Sequence, residues 1–447
     1  MTDNVIVLHP VLLQPAVDEN GLYRKPARDP EASLEEAIGL ARAIDLPVVH
    51  SEIVRLKQAT PATLIGMGTV ERVKEMVDML EAKLVFVDEA LTPVQQRNLE
   101  KAWNSKVIDR TGLILEIFGA RARTKEGRLQ VELAALNYQR TRLVKAWSHL
   151  ERQRGGSGFL GGPGEKQMEL DRRMIDEKIK RLKVDLEDVR RNRRLQRESR
   201  KKEPYPIVAL VGYTNAGKST LFNRLTGAGV FAKDLLFATL DTTMRAIKLP
   251  SGKKAILSDT VGFISDLPTH LVAAFRATLE EVEDAAVILH VRDISQENTE
   301  AERADVIAIL NSLGIDSAHD PRMIEVLNKI DRLSPELRDA AVNKSARFEK
   351  MVAVSAIDGT GMDDLVAAID AHLGRARRTV YVDLPLADGR ALSWLYDRGT
   401  VTNRTDGDEN IMVEVSMEPE DIERFMTRFP YKPSETKPRR RKNTKAS

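Results

Sequence analysis

The segment that most constrains the fold is a glycine-bearing loop between an apolar run and a helix-like stretch. Residues 207–211 read as a buried strand, residues 220–225 as a helix, and residues 212–219 between them match G-x-x-x-x-G-K-S. In that setting, backbone N–H groups can surround phosphates and the helix N-terminus adds a favourable dipole. The segment predicts an α/β domain of the P-loop type, with Lys218 on the β- and γ-phosphates and Ser219 on Mg²⁺.

Three later segments follow in the order that a GTP site requires. A strand ends at residues 259–262, where an aspartate can support Mg²⁺ and a glycine N–H can meet the γ-phosphate. A second strand ends at 328–331, and the carboxylate of Asp331 can accept the N1–H and N2–H donors of guanine. Residues 355–357 follow a third strand and can donate to guanine O6. Because adenine lacks that pair of donors, the sequence predicts GTP rather than ATP.

The stretch between the loop and Asp259 offers a second oxygen ligand for Mg²⁺. Thr239, Thr242 and Thr243 are all candidates on spacing alone. After residue 262, many small GTPases carry a glutamine that orients the attacking water, but here the residue is Phe263. A phenyl ring cannot hydrogen-bond water, so we expect hydrolysis to be slow or to use a group from elsewhere.

Two helix-like stretches upstream carry a heptad pattern. Apolar side chains recur at steps of four and three, interrupted at Arg140, over residues 129–150 and again over 175–189. The linker 154–165 between them holds six glycines and a proline and is predicted to be non-helical. We therefore expect an antiparallel hairpin, with a second helix of roughly 45 Å. Phe159 and Leu160 at its tip have no reason to be apolar unless the tip inserts into something.

Charge is unevenly distributed along a chain whose formal net charge is only +2. Residues 140–202 contain twenty Lys and Arg against ten Asp and Glu, and residues 431–447 contain seven against one. Two basic regions on an acidic remainder favour a polyanionic partner, although a solvated helix face with a disordered tail would have the same composition.

Several classes of protein and site are excluded or disfavoured. With no cysteine, the chain has no disulfide, no thiolate metal site and no cysteine nucleophile. Its seven histidines are scattered, and no apolar run approaches the roughly 18 residues of a membrane helix. We expect no signal peptide, a cytoplasmic location with peripheral membrane association as an alternative, and a monomer.

The pattern of strands and helices predicts an α/β multidomain protein. We expect an N-terminal α/β domain at 1–125, the hairpin arm at 126–203 and a G domain at 204–376. A small C-terminal α+β domain at 377–430 and a disordered basic tail at 431–447 would follow. Among the N-terminal elements, residues 64–67 read as a short strand and residues 93–103 as a helix.

The combined motifs resemble the HflX family, in the Obg–HflX group of translation-associated GTPases. The resemblance rests on residues 212–223, 237–241 and 259–264, and on the glycine-rich tip running into 162–165 and 169–173. It implies a Rossmann-like G domain that binds the large (50S) ribosomal subunit and its rRNA, and that splits or rescues stalled ribosomes under stress. Thr242, where the family often has proline, is a departure in the expected switch region.

The resemblance also implies roles for individual residues. Thr239 is the implied switch threonine, Mg²⁺ is held by Ser219 and Thr239, and hydrolysis involves Lys218, Thr239 and Gly262 without a catalytic glutamine. The GTP-binding residues are Gly212, Tyr213, Thr214, Asn215, Ala216, Gly217, Lys218, Ser219, Thr220, Phe237, Ala238, Thr239, Leu240, Asp241, Asp259, Thr260, Val261, Gly262, Asn328, Lys329, Ile330, Asp331, Ser355, Ala356 and Ile357. The RNA-contacting tip comprises Gly155, Gly156, Gly158, Phe159, Leu160, Gly161, Gly162 and Gly164.

Two other functions remain compatible with these residues. A GTPase of ribosome assembly or RNA modification would share every nucleotide residue, so that only the arm discriminates. A coiled-coil scaffold that uses nucleotide as a structural ligand would show slow turnover independent of ribosomes.

Overall fold

The computed structural model describes residues 4–13, 28–153, 163–200, 205–227, 236–237, 239, 242–265, 281–316, 319–375, 378–407, 409–417 and 419–436. It divides into two compact units, Met1–Leu365 and Val366–Ser447. Residues 154–162 of the predicted tip, residues 238 and 240–241, and the tail from 437 lie outside this description. Within the described ranges, no helix is both long enough and apolar enough to cross a membrane.

The N-terminal region is built on a parallel sheet, four-stranded in the described residues, with the order β2-β1-β3-β4. The strands are β1 (Val5–Leu12), β2 (Val48–Leu56), β3 (Leu84–Val87) and β4 (Lys106–Asp109). The helices are α1 (Pro30–Arg42), α2 (Met67–Met79), α3 (Pro93–Trp103) and α4 (Arg110–Arg121). All strands run the same way, so residues that follow them collect at one edge of the sheet.

Capping residues fix where these helices begin. Asp29 accepts a hydrogen bond from the Ala32 N–H at 2.8 Å, and Thr92 forms a reciprocal capping box with Gln95, as the predicted start of α3 requires. The prediction of a strand at 64–67 was wrong. Leu64 makes only an isolated bridge to Thr60, and α2 begins at residue 67 because the extended Gly66 precedes it as its N-cap.

The predicted antiparallel hairpin is confirmed by α5 (Lys125–Gln153) and α6 (Pro163–Arg200). Leu136, Ile179 and Leu182 form its buried seam, and Arg140 on α5 pairs with Asp176 on α6 at 3.2 Å. Residues 163–165, predicted as loop, instead form the first turn of α6. Proline is tolerated there because the first helical N–H groups have no partner within the helix.

The central region contains a sheet that the described residues form in the order β10-β9-β8-β5-β7-β6. The strands are β5 (Ile207–Gly212), β6 (Thr243–Lys248), β7 (Lys254–Asp259), β8 (Val287–Asp293), β9 (Met323–Asn328) and β10 (Met351–Ala353). The helices are α7 (Lys218–Thr226), α8 (Thr299–Ser312), α9 (Pro335–Arg347) and α10 (Met362–Arg375). Only β6 runs antiparallel, so the segments after the other strands meet at the carboxyl edge, where doubly wound sheets bind ligands.

The N-terminal region and this sheet share one apolar core. Phe118 of α4 meets Phe237 edge-to-face, with ring centroids 4.7 Å apart. Gly39 of α1 lies so close to Leu236 that an added Cβ would stand 3.1 Å from its side chain. The N-terminal region therefore packs directly on the segment that precedes β6.

The second unit contains the predicted small α+β fold. Its antiparallel sheet has the order β11-β13-β12, from β11 (Arg378–Pro385), β12 (Thr400–Asp406) and β13 (Asn410–Met417). Helices α11 (Gly389–Arg398) and α12 (Pro419–Arg428) pack on its apolar side chains. The rings of Trp394, Phe425 and Phe429 pack against one another in tilted and edge-to-face arrangements, and this unit has a core of its own.

Replacing one seam residue should loosen the arm without touching the rest of the chain. Ile179 is 4% exposed, so we expect Ile179→Ala to lower the local unfolding free energy of α6 by about 2–5 kcal/mol. Amide hydrogen exchange over the two arm helices measures this loss. Val184→Ala is the matched control, since Val184 on the same helix is 62% exposed. Equal exchange in both variants would contradict the seam.

Candidate nucleotide-binding site

The loop after β5 passes through two glycines that hold it tightly against its neighbours. Gly212 and Gly217 have φ values of +153° and +92°. An added Cβ would stand 2.2 Å from the Val291 carbonyl oxygen at Gly212, and 2.2 Å from Asn328 Nδ2 at Gly217. Glycine has no side chain at these two positions, where a larger residue would clash. The loop can therefore close directly onto the N-terminus of α7.

Lys218 is the first residue of α7 and lies within the loop. Its ammonium group donates to the carbonyl oxygens of Gly212 at 3.0 Å and Tyr213 at 2.6 Å. Burial lowers the pKa of Lys218 to about 8, although the charge of Asp259 opposes that shift. A buried cation in this position is suited to an anionic ligand such as phosphate.

Three side-chain oxygens converge beside Lys218. The Ser219 hydroxyl donates to Asp259 Oδ2 at 2.7 Å, the Thr239 hydroxyl reaches the same oxygen at 2.9 Å, and the two hydroxyls are 2.9 Å apart. Asp259 Oδ1 is buried without a hydrogen-bond partner in the described structure. Burial raises the pKa of Asp259, against the opposing effect of Lys218. These hard oxygen donors fit a cation such as Mg²⁺.

Of the threonines considered, Thr239 is the one that lies beside Ser219. Thr242 instead reaches Glu281 at 3.4 Å, and Thr243 begins β6, where it pairs with Asp259 across the strands. In the described ranges, no group of three or more His, Cys, Asp or Glu side chains is arranged to hold a metal ion. A cation at Asp259 would therefore need ligand oxygens beyond those of the protein.

The segment after β7 pairs with the loop through its backbone. The Thr214 N–H donates to the Phe263 carbonyl at 2.7 Å, and the Phe263 N–H donates to the Gly212 carbonyl at 3.1 Å. An added Cβ on Gly262 would stand 3.1 Å from the Lys218 ammonium. The Phe263 ring is 1% exposed and belongs to the core shared with the N-terminal region. The ring is therefore enclosed in that core, together with the side chain of Tyr213.

The segments after β9 and β10 are joined to the loop by one side chain. Asn328 donates from Nδ2 to the Ala216 carbonyl at 2.8 Å, and its Oδ1 accepts from the Ala356 N–H at 3.2 Å. Lys329 pairs with Asp293 at 2.7 Å. Asp331 is exposed on a 3₁₀ turn, where its carboxylate is free to meet a ligand.

The structure thus brings the four predicted segments to one edge of the sheet, but not every predicted residue turns its side chain to that edge. Tyr213 and Phe237 are buried toward the N-terminal region, and Ile330 is buried against Leu327 and Ala353. These three can contribute only backbone groups to a ligand. Ala238, Leu240, Asp241 and residues 155–162 of the tip lie outside the described residues.

Sequence reasoning missed the network around the Tyr213 hydroxyl. This oxygen accepts from the Ser265 N–H at 2.8 Å and from Arg28 at 3.2 Å, and it donates to Glu36. Arg110 donates to the Ser265 hydroxyl at 2.7 Å and pairs with Glu36. The partners are up to 229 residues apart in the sequence, so no local sequence pattern could have predicted these contacts.

A second acidic group lies beside the site. Glu302 on α8 is partly buried, and burial, followed by the charges of Glu36 and Asp293, raises its pKa to about 7. Arg28 and Lys329 oppose this shift without cancelling it. The protonation of Glu302 should therefore change near neutral pH.

Family models cover most of the chain. They match as GTP-binding GTPase N-terminal over residues 31–119, GTP-binding GTPase middle region over 121–200, 50S ribosome-binding GTPase over 207–329, and HflX C-terminal domain over 340–437.

Curated relatives give the same result. The GTPase HflX of Magnetococcus marinus is 50% identical over 386 residues, covering 86% of this chain and 88% of its own. The GTPase HflX of Escherichia coli K12 is 44% identical over 369 residues, covering 81% and 84%. A solved GTP-binding protein of Sulfolobus solfataricus in complex with GDP is 22% identical, with a TM-score of 0.44 over 84% of this chain and 99% of that one.

The raised pKa of Glu302 predicts a specific pH dependence. The folded value of about 7 lies above the ordinary 4.5, so the ionised side chain destabilises the fold above pH 7 and this cost disappears as the pH falls toward 4.5. Glu302→Gln should therefore raise the melting temperature at pH 8 and leave it unchanged near pH 4.5. Glu297→Gln is the control, since Glu297 is exposed and should give no pH-dependent difference. If Glu302→Gln and the unmodified protein had the same melting temperature at pH 8 as well as near pH 4.5, the raised pKa of Glu302 would be refuted.

Proposed function

This chain belongs to the HflX family of GTPases, and from that premise we propose that it binds the large ribosomal subunit and, in its GTP-bound state, splits or rescues stalled ribosomes. The sequence-based assignment to this family is confirmed, and the protein is a GTPase that converts GTP and water to GDP and phosphate.

Residues 212–220 would cradle the phosphates. Lys218 would exchange its two carbonyl contacts for β- and γ-phosphate oxygens, which supports its role because a buried ammonium gains a full counter-charge. The Gly262 N–H would meet the γ-phosphate, since Gly262 already borders the Lys218 ammonium.

Ser219 and Thr239 would hold Mg²⁺, with Asp259 behind them. The convergence of the two hydroxyls on Asp259 Oδ2 supports this, as does the unpaired, buried Oδ1 of the same carboxylate. When bound, Mg²⁺ supplies charge neutralisation at the phosphate oxygens. Because Thr239 stands next to the stretch packed on the N-terminal region, loss of the γ-phosphate would release a contact at that interface.

Asp331 would read guanine, with Asn328 holding the base segments in place. The carboxylate of Asp331 is exposed and takes no part in the core. Asn328, by contrast, joins Ala216 to Ala356 through hydrogen bonds. The residues 355–357 would donate backbone N–H groups to guanine O6, since Ala356 already lies at the Asn328 amide.

The observation that carries the ribosome proposal is the arm. Residues 140–202 carry twice as many basic as acidic side chains, and their described part lies on α5 and α6, which pack on each other through the seam. The arm base is fastened to the N-terminal region by Asp109, which accepts from Tyr138 at 2.7 Å and from Arg142 at 3.2 Å. A long, basic helical pair suits phosphate-rich RNA. The central region also matches a model described as 50S ribosome-binding GTPase.

Asp331→Asn tests the guanine assignment. The change replaces an acceptor oxygen by an amide donor facing the guanine N–H groups, so GTP affinity should fall by at least tenfold while affinity for xanthosine triphosphate rises. Fluorescent nucleotide titration measures both affinities. Asp339→Asn, on the exposed face of α9, is the matched control and should change neither. Unchanged base preference in Asp331→Asn would rule out this role.

Changes at the predicted tip test the ribosome proposal. We expect the double variant Phe159→Ala, Leu160→Ala to keep GTP binding and most ribosome cosedimentation, because the basic helices remain. Splitting of intact ribosomes, followed by light scattering, should be largely lost, since the apolar tip would be what enters the ribosome. Leu337→Ala, Val342→Ala removes two exposed apolar residues outside the arm and is the control.

If the Phe159→Ala, Leu160→Ala variant split ribosomes at the normal rate, these two tip residues would have no role in splitting and the tip would be a passive linker. If the unmodified protein neither cosediments with large subunits nor turns over faster in their presence, the ribosome proposal itself fails.

A further inference from the structure

Among the described residues, neither Phe263 nor the nearby Ser265 is suited to position the water that attacks GTP. The Phe263 side chain is apolar, 1% exposed and packed in the core shared with the N-terminal region. It therefore neither reaches nor polarises a water molecule beside the γ-phosphate. The nearby Ser265 hydroxyl is occupied as well, since it accepts from Arg110 and donates to Glu36 at 3.1 Å.

Thr214 is the residue of the phosphate loop that lies against Gly262. Its N–H binds the Phe263 carbonyl, which fixes its backbone against the segment after β7. A Cβ built on Gly262 would stand 2.9 Å from Thr214 Cγ2 and 3.1 Å from the Lys218 ammonium. The Thr214 methyl group and the Lys218 ammonium thus both border Gly262, and the Thr214 hydroxyl, on the same Cβ as the methyl, lies close to the glycine that would face the γ-phosphate.

Thr214 is only 5% exposed, and its buried hydroxyl has no hydrogen-bond partner in the described structure. The other hydroxyls around it are satisfied. Thr260 donates to the Leu210 carbonyl at 2.6 Å, and Ser219 and Thr239 share Asp259. A buried, unpaired hydroxyl is unfavourable unless a ligand or water supplies the partner.

We propose that the Thr214 hydroxyl orients the attacking water during GTP hydrolysis, in the role for which Phe263 is unsuited. The hydroxyl accepts a hydrogen bond from the water and directs a lone pair of the water oxygen at the γ-phosphorus. The water oxygen bonds to phosphorus, and the bond to the β–γ bridging oxygen breaks with its electron pair on GDP. One water proton goes to a phosphate oxygen, and Thr214 keeps its own. This inference rests on the nucleotide site proposed above.

Two substitutions at Thr214 separate the hydroxyl from the shape of the side chain. Thr214→Val keeps the volume and removes the hydroxyl, whereas Thr214→Ser keeps the hydroxyl. Thr63→Val is the matched control, because Thr63 is a buried threonine of the N-terminal region whose hydroxyl donates to the Ile65 carbonyl at 2.7 Å. Single-turnover hydrolysis of GTP, GTP and GDP affinities, and affinity for GDP with aluminium fluoride are measured for each.

Thr214→Val should slow hydrolysis by roughly ten- to a thousandfold and weaken the aluminium fluoride complex, with GTP and GDP affinities within about threefold of the unmodified protein. Thr214→Ser and Thr63→Val should hydrolyse GTP at nearly the normal rate. Normal turnover in Thr214→Val overturns the proposal. So does a parallel loss of affinity and rate, because the hydroxyl would then serve ground-state binding.

Failure of the underlying site is distinguished by Lys218→Ala. If GTP affinity does not depend on Lys218, the nucleotide site is wrongly placed and the role of Thr214 fails with it. If GTP affinity does depend on Lys218 while Thr214→Val hydrolyses normally, the site stands and only the role of Thr214 fails.

Discussion

The backbone pairing between the phosphate loop and the segment after β7 is the contact on which the rest of the site depends. Two hydrogen bonds, from Thr214 to Phe263 and from Phe263 to Gly212, hold Gly262 against Lys218. The same pairing turns the Phe263 ring into the shared core and delivers Ser265 to the Tyr213 hydroxyl. A shift of Gly262 toward a phosphate would therefore pull on contacts well outside the phosphate loop.

Those outer contacts connect the loop to the arm through two adjacent residues. Arg110 donates to Ser265, and Asp109 beside it holds Tyr138 and Arg142 of α5. Asp109 also caps α4 through the Gly112 N–H at 2.7 Å, so Asp109 joins the helix start to the arm base, while the neighbouring Arg110 holds the segment after β7. The contacts of Ser265 and those of the arm base thus meet at the first turn of α4.

Local patterns predicted the parts of the fold that local physics determines. The phosphate loop, the helix over 93–103 and the arm seam follow from residue patterns within a few turns, and the structure has all three. The wrong strand at 64–67 was a short apolar run, which periodicity alone cannot separate from a turn. The Tyr213 network and the orientation of Phe263 depend on packing between regions distant in sequence, which no window of residues contains.

Because Lys218 is buried, its positive charge depends on the polar and charged groups around it at the carboxyl edge of the central sheet. Desolvation lowers its pKa to about 8, so a site built of lysine alone would lose part of its charge in mildly basic solution. Asp259 counters that loss, and an arriving phosphate would counter it further, because each negative charge favours the protonated amine. Ligand binding and proton uptake at Lys218 are consequently coupled. The hydroxyls of Ser219, Thr239 and Thr214 carry no charge. They can therefore lie near the phosphates without competing with them for the positive charge of Lys218.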